Sequence, residues 1–169
     1  MSRLEEELDS VAAESDFSGV VRVDHEQRVE VLRAYGLADR RYGIPNEIDT
    51  RFAIASGTKG LTALAVVSLI ESGDLELDTR ARSVLGNDLP LIGDDVTIEH
   101  LLAHRSGIGD YLDEEDDLDL ADYLLPGSAH QLAETEDYLP WLDGHRAKFK
   151  PGGRFAYCNG GYVVLAVIA

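Results

Sequence analysis

Ser56 and Lys59 stand three residues apart at the start of the strongest apolar periodicity in the chain, so on a helix both side chains project from one face. That geometry suits covalent catalysis. A serine hydroxyl is a poor nucleophile until a neighbour takes its proton, and a lysine amine can do so where burial or another cation favours its neutral form. A helix N-terminus adds free N–H groups and positive partial charge where the attacked carbonyl oxygen becomes negative. The plain alternative makes Ser56 an N-cap and Lys59 a solvated first-turn lysine. With ten serines and three lysines in 169 residues, about 0.2 such pairs arise by chance, so the pair has to be judged with its surroundings.

Other reactive side chains make weaker cases. Glu99, His100 and His104 include a histidine pair at i, i+4, but the glutamate precedes the first histidine, which is not the order of a zinc helix, and no metal is expected. Ser106 lacks the glycine pattern of a nucleophile elbow and reads as a helix-end turn residue. Cys158, the single cysteine, cannot form an internal disulfide and reads as interior packing. The acidic run from Asp113 to Asp122 has neither the alternating ligands nor the turn glycine of a calcium loop, and is expected to be a solvated loop or helix end.

The elements that must position these residues follow from periodicity. Leu4, Leu8, Val11 and Ala12 mark a helix over residues 3–14. Two β-branched runs, 17–23 and 29–35, flank a polar stretch and predict a hairpin. Residues 36–50 read as a connection and 51–55 as a short extended piece. Leu61, Leu64, Ala65 and Leu69, with Gly73 just beyond, predict an apolar-faced helix over 58–72. A second helix is expected over 97–104 with Thr97 as its N-cap, a third over 128–145, and an apolar one from Gly160 onward.

Composition narrows the function classes. With 44% apolar residues the chain can bury a core, and a net charge of -17 repels nucleic acid and anionic membrane surfaces. The longest apolar run is too short for a membrane helix. The acidic N-terminus lacks the basic start and apolar stretch of a secretory signal, so a cytoplasmic chain is expected.

Three blocks then arrive in order: Phe52-Ala-Ile-Ala-Ser56-Gly-Thr-Lys59, Ile98-Glu-His-Leu-Leu-Ala-His104-Arg-Ser-Gly-Ile-Gly-Asp-Tyr111, and Pro151-Gly-Gly-Arg-Phe-Ala-Tyr157-Cys-Asn159. Over about residues 17–169 they resemble the landmarks of the class C β-lactamase, penicillin-binding protein and carboxylesterase family. The resemblance implies an α+β fold of the β-lactamase and transpeptidase type, in one partial domain. Residues 1–55 would give the N-terminal helix and hairpin of the mixed lobe, and 56–169 the helical lobe. It implies a serine acyl hydrolase without metal or organic cofactor, acting on a small-molecule ester, amide or β-lactam. Ser56 would form the acyl-enzyme, Lys59 and Tyr157 would share the proton transfers, and Asn159 would bind the substrate amide and help to hold Lys59.

The family's third motif, a KTG or HxG strand that supplies the second oxyanion donor, has no match here. Lys148-Phe-Lys150 precedes the YxN block instead of following it. The expected partners are therefore a segment carrying the remaining strands, or a second copy of the chain. The alternative reading is a catalytically silent fragment or ligand-binding module of the same fold.

Overall fold

A computed structural model of the chain describes residues 2–115, 124 and 127–169. It divides into two compact units between Ile54 and Ala55. The first opens with α1, Arg3–Glu14. Ser2 Oγ accepts the Glu5 N–H while the Glu5 carboxylate accepts the Ser2 N–H, a reciprocal cap that satisfies two otherwise unpaired donors. Strands β1, Gly19–His25, and β2, Arg28–Tyr35, pair antiparallel through a tight turn in which Glu26 takes a positive φ. Polar contacts tie α1 to β2: Arg33 pairs with Glu5 at 3.1 Å, and Tyr35 Oη donates to Asp9 at 2.7 Å. Ala12 and Val31 are the buried apolar residues of this unit.

The stretch 36–50, expected as a plain connection, holds a second small hairpin of β3, Leu37–Asp39, and β4, Ile44–Pro45. Its cause is local turn chemistry: the Asp39 carboxylate accepts the Tyr42 N–H and Gly43 takes a φ of +63°. Strands of two and three residues are too short to show a period in sequence.

The second unit is helical. Helix α2, Thr58–Ser72, ends at Gly73 with φ +85°, in the left-handed cap conformation that a side chain disfavours. Next come α3, Ala81–Leu85, whose five residues gave no periodicity, and α4, Ile98–Leu102, capped by Thr97 as expected. An isolated antiparallel bridge joins Arg80 to Thr97. Helix α6, Asn159–Ile168, packs on α2 and α4. The core is built on Val66, Val96, Ile98, Leu101, Val164 and Leu165, all at most 2% exposed.

Two expectations fail in this unit. The residues that marked α2 as apolar-faced are not its buried ones: Leu61 and Leu64 are more than 60% exposed, while Val66 is fully buried. The helix carries apolar side chains on every side, so periodicity could not select the packed face. The helix expected over 128–145 is instead a 3-10 turn at Ala129–Gln131, another at Thr135–Tyr138 and the single turn of α5, Leu139–Leu142. Asp137 draws the N–H groups of Ala133 and Glu134 to its carboxylate, competing with the helical ladder, and Pro140 has no N–H to continue it.

No helix among the described residues is long and apolar enough to cross a membrane. Replacing Leu165 by alanine should lower unfolding free energy by about 2 to 5 kcal/mol, since it empties a fully buried position. The same change at Leu64 should stay within about 1 kcal/mol. Urea denaturation of both variants measures the difference.

Candidate active site

Ser56 lies in a 3-10 turn, Ala55–Gly57, that feeds directly into α2. The turn begins at Ala55 with φ +42°, a conformation few non-glycine residues adopt. Gly57 occupies the cap position of α2, and no side chain caps that end, so Ser56 is not spent as an N-cap. Its hydroxyl is exposed and accepts two hydrogen bonds instead, from Lys59 Nζ at 3.1 Å and from Tyr157 Oη at 2.9 Å. Between two hydroxyls either can donate, so the Tyr157 contact can carry a proton in both directions.

Lys59 Nζ also donates to Asn159 Oδ1 at 2.9 Å, and it lies 4.9 Å from the centre of the Tyr157 ring and 6.0 Å from that of Tyr162. These contacts surround an ammonium with an amide oxygen and two electron-rich ring faces. The four side chains predicted from sequence, Ser56, Lys59, Tyr157 and Asn159, thus form one connected cluster. Ser56, Lys59 and Asn159 border an open cleft of about 520 Å³, whose further walls include Tyr111, Tyr138, Val163 and Ala166.

The amide of Asn159 is oriented from behind. Its Nδ2 donates to Glu114 at 3.2 Å and to the Leu112 carbonyl at 3.4 Å, which leaves Oδ1 facing Lys59. Its backbone is fixed by Asp110, a buried residue whose two carboxylate oxygens accept the N–H groups of Asn159 and Gly160 at the start of α6. The carboxylate neutralises free donors and complements the helix dipole. Gly160 suits this approach: a Cβ there would sit 2.9 Å from Leu142 Cδ2 and 3.0 Å from Asp110 Oδ1, so both side chains would have to give way.

The loop after α4 runs beside residues 148–156. Lys148 donates its N–H to the Gly107 carbonyl, Gly152 to that of Arg105 and Ala156 to that of His104. Gly107 has φ +67°, and a side chain there would strike the Phe149 carbonyl at 2.2 Å. The acidic run is not simply solvated at its described end. Asp113 and Glu115 pair with Lys148 at 2.9 and 3.0 Å, and Glu115 also pairs with Arg154. The hydrogen bonds from Arg154 and then Lys148 lower the Glu115 carboxyl to about 2. Asp116, Asp117, Asp119 and Asp122 of that run lie outside the described residues.

The remaining sequence candidates have other tasks. His100 completes the cap of α4 with Thr97, and His104 packs against Tyr157. Among the described residues no group of three His, Cys, Asp or Glu could hold a metal ion. Ser106 is buried beyond α4. Cys158 is buried too, and its sulfur accepts the Gly161 N–H at 3.2 Å. Burial, with the nearby Asp110 charge, pushes its thiol up to about 12, far from the range of a reactive thiolate.

A family model described as Beta-lactamase matches residues 3–169. The chain belongs to the β-lactamase family. Among curated relatives it is 36% identical over 150 residues to Esterase EstB of Burkholderia gladioli, covering 79% of this chain and 38% of the esterase. It is 29% identical over 163 residues to Penicillin-binding protein 4* of Bacillus subtilis, covering 95% and 34%. Among solved structures, a penicillin binding protein from Bacillus halodurans superposes with a TM-score of 0.83 at 37% identity, covering 95% of this chain and 48% of that one. The octameric penicillin-binding protein homologue from Pyrococcus abyssi gives 0.75 at 30% identity, covering 98% and 37%. The fold is therefore the α+β fold of β-lactamases and transpeptidases, as the motifs implied, and the chain spans between a third and a half of these relatives' lengths.

Asp110 and Glu114 were not singled out in sequence. Asp110 follows a Gly-Ile-Gly turn inside a recognised block, which hints at a constrained loop but not at its partner 49 residues away. Asp110→Ala should remove about 2 kcal/mol or more of stability, because two helix-start N–H groups lose their acceptor. Thermal or urea unfolding of the variant checks this.

Proposed function

We propose that the protein carrying these residues is a serine acyl hydrolase that cleaves esters or amides through an acyl-enzyme on Ser56. The observation that carries the reading is the pair of contacts on the Ser56 hydroxyl, from Lys59 and Tyr157, at the open N-terminal end of α2. In acylation the Ser56 oxygen bonds to the substrate carbonyl carbon while its proton passes to the Lys59 and Tyr157 pair, which enters this step one proton short, as a neutral amine beside the phenol or an ammonium beside a phenolate. The same pair returns that proton to the departing alcohol or amine. Water then attacks the acyl-enzyme, giving up a proton to this pair; the bond from the carbonyl carbon to Ser56 Oγ breaks, the pair returns the proton to that oxygen, and the acid is released. Asn159 orients the substrate and holds Lys59. In this role the backbone N–H of Ser56 is one oxyanion donor, beside the positive end of α2. Both units belong to the one domain that carries out this reaction.

Uncharged acyl donors fit best. Glu114 sits on the Asn159 amide, and the chain carries a net charge of -17, so a substrate carboxylate meets repulsion on approach and in the cleft. Tyr111, Tyr138 and Val163 offer apolar surface to an acyl or alcohol group. The likeness to a protein named an esterase points the same way. The buried, unpaired Cys158 suits a reducing compartment, and we place the activity in the cytoplasm. Self-association is a further proposal, prompted by the octameric homologue.

A fluorophosphonate or β-lactam probe should leave its adduct on the Ser56 peptide, and Ser56→Ala should abolish it. Lys59→Ala should slow acylation by about 10²- to 10⁴-fold, the scale of a lost general base. Mass spectrometry finding the adduct on another residue would sink the assignment. For substrate class, a p-nitrophenyl ester should exceed a chromogenic cephalosporin in kcat/KM, and more so at low ionic strength. A tenfold advantage for the cephalosporin would overturn the preference for uncharged donors.

A further inference from the structure

His104 touches the Tyr157 segment in three ways. Its imidazole stacks on the Tyr157 ring, with centroids 4.5 Å apart and planes inclined by 27°. Its Nδ1 lies 3.1 Å from the Cys158 nitrogen and accepts that N–H, and its carbonyl accepts the Ala156 N–H at 2.9 Å. The backbone is therefore held on both sides of Tyr157 by one residue. The imidazole also stacks on Tyr162 at 4.9 Å, and Tyr162 Oη is anchored on the Leu102 carbonyl at 3.0 Å. His104 itself has φ +52°, in the left-handed region that histidine tolerates better than most residues. That turn of the backbone accompanies a ring and a carbonyl both engaged with residues 156–158.

We infer that His104 is a positioning residue for Tyr157, and that it positions Tyr157 only while its imidazole is neutral. The inference rests on the acyl-hydrolase reading for its consequence in rate, but the contacts stand independently of it. An imidazole that accepts at Nδ1 carries its proton on Nε2. Protonation turns Nδ1 into a donor, so that N–H would face N–H at Cys158 and the anchor on one side of Tyr157 would be lost.

The groups facing the ring set the direction of its titration. Lys59 approaches from α2, Asp110 and Glu114 from the loop after α4, and Tyr157, Cys158 and Tyr162 from the segment that leads into α6. Burial first, and then the Lys59 charge, lower the imidazole below its ordinary value, while Asp110 and Glu114 oppose that less strongly. A basic group lowered in this way is neutral at pH 7 and charges only as pH falls through its depressed value. The arrangement therefore holds near neutrality and fails on the acid side.

The test is carried out on the protein carrying these residues, with wild type, His104→Asn and His104→Phe. The pH dependence of kcat/KM on a p-nitrophenyl ester should show an acid limb centred below about 6.5, the unperturbed histidine value. Asparagine offers a side-chain oxygen in place of Nδ1 and accepts positive φ, so His104→Asn should lack that limb, whatever plateau it reaches. Phenylalanine keeps the stacked ring without the acceptor, so His104→Phe should lose up to about 100-fold in kcat with KM little changed. Nitrogen NMR of the wild-type imidazole should show Nδ1 unprotonated at pH 7, and the Tyr157 ring resonances should shift with the same midpoint as His104. An acid limb unchanged in His104→Asn, a proton on Nδ1, or Tyr157 resonances indifferent to the His104 titration would overturn the proposal. Absence of any probe adduct on Ser56 in wild type at pH 8 would sink the hydrolase reading instead. The NMR titration would still decide the role of His104.

Discussion

An ammonium partly withdrawn from water beside a serine hydroxyl has to be compensated by groups aimed at it, and Lys59 is the charge around which this second unit is arranged. Ser56 Oγ and Asn159 Oδ1 accept from it, and the Tyr157 and Tyr162 rings face it. For Asn159 to present oxygen and not nitrogen, its NH₂ needs acceptors behind it, which Glu114 and the Leu112 carbonyl supply. For those acceptors to be there, the loop after α4 must return past the start of α6, and the Asp110 carboxylate fastens the two.

This hierarchy explains where the unit tolerates little change. Gly107 sits where the Phe149 carbonyl comes closer than a Cβ allows, and at Gly160 the Leu142 and Asp110 side chains would have to give way to one. Arg154 and Lys148 hold the far side of the loop through Asp113 and Glu115; the Glu115–Arg154 pair lies near the surface, where ion pairs contribute modestly to stability, while the Lys148–Asp113 pair is partly buried. Their part is to fix a register, leaving the buried Asp110 to set the geometry at Asn159. Burial in the Val66, Ile98, Leu101 and Leu165 core supplies the rigidity on which both rely.

The reactive groups themselves sit at the rim of that core. Ser56 is exposed, Lys59, Tyr157 and Asn159 are half-buried, and the residues just behind them, Asp110, Cys158 and Gly160, are buried. A carbonyl can thus reach the nucleophile from the open cleft, while the groups that orient the nucleophile's partners are sheltered from competing water. Cys158 illustrates the division: placed between two site residues, it turns its sulfur inward to cap α6.

Much of this was legible before the fold was known. The Ser56 and Lys59 pair depends on spacing along one helix, which is a local property. The limits of α1, α2 and α4 depend on caps at Ser2, Gly73 and Thr97, which are local as well. What composition, periodicity and spacing could not decide was anything that depends on proximity across the chain, and the grouping of Tyr157 and Asn159 with Ser56 and Lys59 came only from the family resemblance. Tyr157 Oη meets Ser56 across 101 residues, Asp110 meets Asn159 across 49, and His104 reaches the Cys158 N–H across 54. The packed face of α2 and the broken helix at 128–145 were hidden for the same reason. An all-round apolar helix takes its buried face from its neighbours, and a segment holding Asp137 and Pro140 takes its shape from hydrogen bonds that periodicity does not record. Sequence determined which residues could do chemistry and on which local elements they lie. Tertiary structure decided which of them share a proton, because hydrogen bonds form only within about 3 Å and that distance is set by packing.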